Sequence, residues 1–163
     1  HFPAEVPVER AVISLHTLIN GVIEDYALLA NERNIEIDNR ILLGEDISLR
    51  VDVDRLQRVL ANLLNNAILY NREHGQVILS HEMTGDSLKI SIQDGGEGLT
   101  DDEIDKIFHP FERLHSHAQI EGAGLGLLIA RNLMLSLKGC LEVDSRPNEG
   151  STFWINFPYY IED

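Results

Sequence analysis

Between Gln76 and Gln93 two strand-like arms flank a short turn, the second with its apolar residues in a period of two, and this stretch limits the fold more than any other. "QVILSHE" (76–82) and "SLKISIQ" (87–93) flank a turn at "MTGD". In the second arm Leu88, Ile90 and Ile92 alternate with Lys89, Ser91 and Gln93, which predicts a hairpin with one buried and one wet face. The neighbouring segments carry a helical period instead. Leu18, Ile19, Val22, Ile23, Tyr26, Leu29 and Ala30 recur at three–four spacing and predict a helix over 16–34. A second helix starts at Asp52 or Asp54, either of which fits an N-cap, and runs to about Arg72. Thr100 and Glu103 form a capping-box pair ahead of the short helix "DDEIDKIF". A last helix is expected from about Leu125 to Lys138, stopped by Gly139. "AVISL" (11–15), "IEIDNRI" (35–41), "ISLRVD" (47–52), "CLEVDS" and "STFWINF" read as strands. Residues 109–121 show no period. Paired strands with helices inserted between them predict an α+β two-layer sandwich: one mixed, mostly antiparallel sheet of about five strands, with about three helices on one face. Residues 1–10 carry two prolines and no helical period, so they read as a linker leading into one domain over 11–163.

Composition narrows the function. The chain of 163 residues has a net charge of −14, which repels a phosphate backbone and argues against nucleic acid as a partner. A polyanionic ligand would need local devices: helix N-termini, backbone N–H groups or a metal ion. Cys140 is the one cysteine, so an internal disulfide is excluded and a reducing, cytoplasmic compartment is the simple expectation. No apolar run reaches the roughly 20 residues of a membrane span. The chain begins with His1, which is expected of a piece of a longer protein.

Three stretches carry the chemistry. In "LANLLNNAILYN" (60–71), Asn62 and Asn66 sit four apart beside the apolar face of a helix, although asparagine is a poor helix-interior residue. A solvated helix edge is the ordinary explanation. The functional one is a pair of neutral oxygen ligands for Mg²⁺, adding no negative charge beside a triphosphate. In "IQDGGEGL" (92–99), Asp94 ends a strand and is placed to accept from an amine such as that of adenine, with Gly96 and Gly98 letting a flat base lie against the backbone. In "EGAGLGLLIARNL" (121–133), glycines lead into a helix whose N-terminus suits phosphate. Each signal alone also fits a plain turn or helix start. No P-loop pattern is present.

Taken in order, these stretches resemble the catalytic, ATP-binding domain of sensor histidine kinases, in the superfamily shared with gyrase, a heat-shock chaperone and mismatch-repair ATPases. "DRLQRVLANLLNNAILYN" is similar to the N box, "DGGEGL" to the G1 box, "IFHPFERL" to the F box, "GAGLGL" to the G2 box and "EGSTFWINFP" to the closing strand. The resemblance spans about residues 10–158 and implies a Bergerat-type sandwich. It also implies that Asn66 and Asn62 hold Mg²⁺ and phosphate, and that Tyr70 contacts adenine or ribose. Asp94 would hold the adenine amine, with Gly96, Gly98 and Leu99 beside the base. Phe108 and Arg113 would belong to the F box, and 109–121 to an ATP lid. Gly122, Gly124, Leu125, Gly126 and Leu127 would form the phosphate turn and its helix, and Thr152 would reach adenine through water. The cofactors implied are ATP and Mg²⁺. The partners implied are the protein's own dimerisation and phosphoacceptor domain, in a homodimeric full-length protein, and indirectly a response regulator.

Two positions refine the activity. Hydrolases of the superfamily place a Glu four residues before the metal-binding Asn; here that residue is Asn62, and a neutral amide is no base for water. Transfer to an acceptor histidine is therefore expected, with a superfamily ATPase as one alternative. Leu69 stands where the family often has Lys or Arg, which leaves a catalytically weak nucleotide-sensing or docking module as another. No residue of this chain is expected to act as acid or base, and the acceptor histidine is expected outside it. His81-Glu82 is not the acceptor, because it lies on a strand and lacks the expected proline. His109, His115 and His117 read as surface histidines in preference to a metal site.

Overall fold

The computed structural model describes residues 6–108 and 118–162, with the backbone alone for 118–125. Among these residues, seven strands and four helices follow in chain order: β1 (Ala11–Ser14), α1 (Leu15–Glu32), β2 (Glu36–Asn39), β3 (Ser48–Val51), α2 (Val53–Leu69), β4 (Gln76–Thr84), β5 (Ser87–Asp94), α3 (Asp101–Phe108), α4 (Ala118–Ser136), β6 (Cys140–Ser145) and β7 (Ser151–Pro158). A 3₁₀ turn at Arg40–Leu43 joins β2 to the β3 segment.

The expected hairpin lies inside a five-stranded sheet of order β2-β4-β5-β7-β6. Only β2 and β4 run parallel; the other pairs are antiparallel. The alternation read from the sequence sets the layers. Leu88, Ile90 and Ile92 of β5, with Phe153, Ile155 and Phe157 of β7, are buried under the helices. The opposite face carries polar side chains and Trp154, over whose ring Lys89 Nζ sits at 4.8 Å.

The first and third strands do not join this sheet. β1 and β3 form a two-stranded ribbon of their own, Ala11 opposite Val51 and Ser14 opposite Ser48. The reason is local. Ser14 caps α1 by accepting from Thr17 N–H at 3.1 Å, and Asp52 caps α2 by accepting from Arg55 N–H at 3.2 Å. Each strand thus runs directly into a helix through its cap residue, so the ribbon must stand where both helices begin. The chain end closes over it, with Arg50 N–H donating to Tyr159 O at 2.8 Å. Asp52 also pairs with the buried Arg55 guanidinium at 3.3 Å, whose Nη2 donates to Val6 O at 3.0 Å. Val6 and Glu9, within the segment expected as a linker, are therefore fastened to the start of α2.

The last helix ends differently from the expectation. The left-handed residue is Lys138 (φ 61°), and Gly139 N–H donates back to Met134 O at 2.9 Å, a Schellman closure. Gly139 is required for close approach: a Cβ there would lie 2.4 Å from Asn156 O on β7. The capping box of α3 forms as expected, with Thr100 N–H donating to Glu103 Oε1 at 3.0 Å and Glu103 N–H to Thr100 Oγ1 at 3.1 Å.

Candidate functional site

Helix α2 tolerates its asparagines because its other face is core. Leu56, Leu60, Leu63, Leu64 and Ala67 are all buried. Each buried leucine contributes roughly 2 kcal/mol, against at most roughly 0.7 kcal/mol for an asparagine in a helix. The burial holds Asn62 and Asn66 in line on the adjacent stripe. Asn66 Nδ2 is buried and has no hydrogen-bond partner among the described residues. Asn62 Nδ2 donates to Gly126 O of α4 at 3.3 Å, joining the two helices. An orphaned buried amide is costly unless something pairs with it.

Beyond Asn66 opens a cavity of about 410 Å³. Asn66, Leu69, Tyr70, Asn71 and Arg72 line it from the end of α2, Asp94, Gly98 and Leu99 from β5 and the loop after it, Ser151 and Phe153 from β7, Ile107 from α3 and Leu127 from α4. The α2 asparagine and the β5 aspartate, 28 positions apart in sequence, thus face one space.

Asp94 is 8% exposed. Burial pushes its carboxyl up to about 6, against hydrogen bonds from the Gly96 N–H, at 2.9 Å, and the Ser151 N–H that favour the charged form. At neutral pH it is a carboxylate with acceptor capacity left over, facing a cavity of mixed apolar and polar lining that includes Glu97 and Glu103.

Gly98 serves the fold at this point. It has φ +73°, and a Cβ on it would lie 1.9 Å from Arg146 O; a Cβ on Gly96 would lie 2.2 Å from Tyr70 O. A side chain on either glycine would thus run into neighbouring backbone, and of the two Gly98 lines the cavity.

At Thr152 the expectation is corrected. Alternation along β7 turns Ser151 and Phe153 inward, so Thr152 faces away from the cavity and Ser151 lines it beside Asp94. The period of two, applied outward from Phe153, is the signal that would have found Ser151. Phe108 lies outside the lining, half-buried with the Arg131 guanidinium 5.2 Å from its ring centre. Helix α4 begins at Ala118, seven positions before the expected start, so Gly122, Gly124, Leu125, Gly126 and Leu127 are helical and form no separate turn. No proline interrupts 118–127, and glycine is tolerated in a helix at a cost of about 1 kcal/mol each. Leu127 is buried against the cavity. Arg113 and the three histidines of 109–117 lie outside the described residues, as does most of the expected lid. Arg72, which the motif reading did not select, is the one basic residue among the described residues lining the cavity. Its Nη2 donates to Asn148 O at 2.8 Å.

The family of histidine kinase-, DNA gyrase B- and HSP90-like ATPases matches residues 51–161, the stretch that contains this whole cavity. The chain belongs to this family. It is 34% identical over 150 residues to the sensor histidine kinase ZraS of Escherichia coli, covering 91% of this chain and 31% of that protein. Its fold is that of histidine kinase catalytic domains. The catalytic domain of ThkA superposes with a TM-score of 0.78 at 27% identity, over 93% of this chain and 97% of that one. Full-length ShkA, solved in complex with AMPPNP, gives 0.78 at 27% identity, over 96% of this chain and 32% of that one. The chain therefore spans less than a third of ZraS. Among the described residues no helix is long and apolar enough to cross a membrane.

Proposed function

We propose that residues 11–163 are the catalytic domain of a sensor histidine kinase, which holds ATP and Mg²⁺ and transfers the γ-phosphoryl group to a histidine on a separate dimerisation domain. The observation that carries this reading is the pairing, across one cavity, of the buried Asp94 carboxylate with the orphaned Asn66 amide. A ligand answering both has a hydrogen-bond donor at one end and a metal–phosphate group at the other. Asp94 accepts the 6-amine of adenine, Leu99, Ile107 and Phe153 enclose the ring, and Tyr70 and Leu127 flank the space beyond it.

Asn66 and Asn62 fit Mg²⁺ because amide oxygens are hard, neutral donors. When bound, the ion neutralises phosphate charge as the γ-phosphoryl departs. Gly122–Leu127 would supply backbone N–H groups to the phosphates. In the helical conformation these groups are turned to carbonyls one turn back, so the first turns of α4 must unwind, which three glycines make inexpensive. Asn62, bonded to Gly126, provides no base for water, so ATP is kept for an acceptor histidine. The P–O bond to ADP breaks and a P–N bond to imidazole forms, in a protein whose dimer and response regulator lie outside this chain. An ATP-using domain with one cysteine is placed in the cytoplasm.

Leu69 favours a second reading. It puts an apolar side chain in the cavity wall where the resemblance to the family's N box implies a cation, as a weakly catalytic nucleotide-sensing module would. Mixing the chain with a dimerisation fragment and γ-labelled ATP·Mg²⁺ separates the possibilities. Acid-labile label on the fragment is expected. Binding without transfer selects the sensing module, and partner-independent phosphate release selects an ATPase.

A further inference from the structure

Ser145, the last residue of β6, stands opposite Ser151 in the β6–β7 ladder. Its Oγ meets three groups: Leu99 N–H at 2.8 Å, Gly150 O at 3.1 Å and Ser151 Oγ at 2.7 Å. A serine hydroxyl has one hydrogen and two lone pairs. The Leu99 amide can only donate, and the Gly150 carbonyl can only accept. Ser145 therefore gives its hydrogen to Gly150 and one lone pair to Leu99. The second lone pair remains for Ser151, which must be the donor in that short contact. All three bonds are satisfied by this arrangement alone.

The consequence reaches the cavity. Ser151 lines it, 7% exposed, beside Asp94. With its hydrogen held by Ser145, Ser151 faces the cavity as an acceptor only, and the Asp94 carboxylate is an acceptor as well. Two acceptors suit an exocyclic amine with its two hydrogens. A 6-oxo group placed there finds neither of them able to donate, and a buried acceptor without a donor is strongly disfavoured. Leu99, fixed by the same hydroxyl, sets the loop that closes over the ring.

We infer that Ser145 is a positioning residue for nucleotide selectivity: by fixing the Ser151 hydroxyl it makes the end of the cavity next to Asp94 choose 6-amino over 6-oxo purine nucleotides. The inference rests on the nucleotide reading above. It is tested by the ratio of ATP to inosine triphosphate affinity, measured by calorimetry on the whole chain. The wild type prefers ATP. In Ser145→Ala the Ser151 hydroxyl is free to turn and donate to the 6-oxo group, and the preference falls about three- to tenfold. Loss of the Leu99 bond weakens both nucleotides alike and cancels in the ratio. In a Ser151→Ala background, Ser145→Ala leaves the ratio where it is. An unchanged ratio in Ser145→Ala overturns the proposal, and so does a wild type that binds both nucleotides equally. If Ser145→Ala does not fold, Ser145→Cys, whose sulfur accepts only weakly and so releases the Ser151 hydroxyl, decides: a lowered ratio supports the proposal, and an unchanged one overturns it. A wild type that binds no ATP at all is a different failure, that of the nucleotide reading.

Discussion

Asp94 and Asn66 face the same cavity from elements of different kinds. Around Asp94 the polar groups answer one another: Gly96 and Ser151 donate to its carboxylate, and Ser145 ties Leu99, Gly150 and Ser151 together. The glycines there are held by the fold itself, since Gly98 has no room for a Cβ against Arg146 O. Around Asn66 the polar groups are left over. Its Nδ2 has no partner among the described residues, and a Cβ on Gly126 would meet nothing closer than Asn62 at 3.8 Å. One end of the site is completed by folding. The other carries features that folding does not require, which is where a ligand is expected to contribute.

Substitutions at each end sharpen the contrast. Asn66→Ala removes the proposed metal ligand but no packing, so transfer to the acceptor is expected to fall on the order of a hundredfold or more, beyond the loss from an outer-shell partner. Its urea midpoint rises slightly above that of the wild type, because an orphaned buried amide and a poor helix former are removed, and a drop in that midpoint would show that Asn66 serves the fold. Gly98→Ala does the reverse. A left-handed φ and a clash with backbone cost about 2–3 kcal/mol of stability in urea unfolding, and an unaffected midpoint contradicts the rigid account of that end.

Acid acts at the Asp94 end. With its carboxyl raised from 3.8 to about 6, the acceptor form is lost as pH falls through 6. ATP affinity at pH 5 is therefore about tenfold below that at pH 7, and Asp94→Asn removes the dependence. The sign for stability is opposite. The folded chain holds this proton more tightly than the unfolded one, so the group's contribution to stability is present below pH 3.8 and lost as pH rises through 6.

Gly126→Ala stabilises the fold by up to about 1 kcal/mol, because the position is helical and has space, while weakening phosphate contact. The smallest effect is at the cavity mouth. Arg72→Ala loses an exposed hydrogen bond to Asn148 O, and ATP affinity falls about two- to threefold, measured in the same titrations.

Much of this contrast was legible in the sequence, for physical reasons. Period two in β5 and period 3.6 in α2 set the layers, and the cap residues Asp52 and Thr100 acted where they stood. Asn66 and Asp94 were legible because a polar residue on an apolar element calls for a reason. Pairing was not legible in the ribbon, since four-residue strands such as β1 carry no preference for one partner. The inward residue of β7 is Ser151 instead of Thr152, although alternation around Phe153 contained that answer. Gly96, Gly98 and Gly139 were recognisable as special, but the backbones that crowd them arrive from distant segments. Local pattern cannot report those approaches.

The central claim is that Asp94 and Asn66 grip opposite ends of one nucleotide. Calorimetric titration of ATP with and without Mg²⁺, for the wild type, Asp94→Asn and Asn66→Ala, tests it most directly. The account predicts that Asp94→Asn loses affinity equally with and without the ion, whereas Asn66→Ala keeps metal-free affinity and loses the gain that Mg²⁺ brings. Unchanged ATP affinity in Asp94→Asn, or an undiminished Mg²⁺ gain in Asn66→Ala, would contradict it.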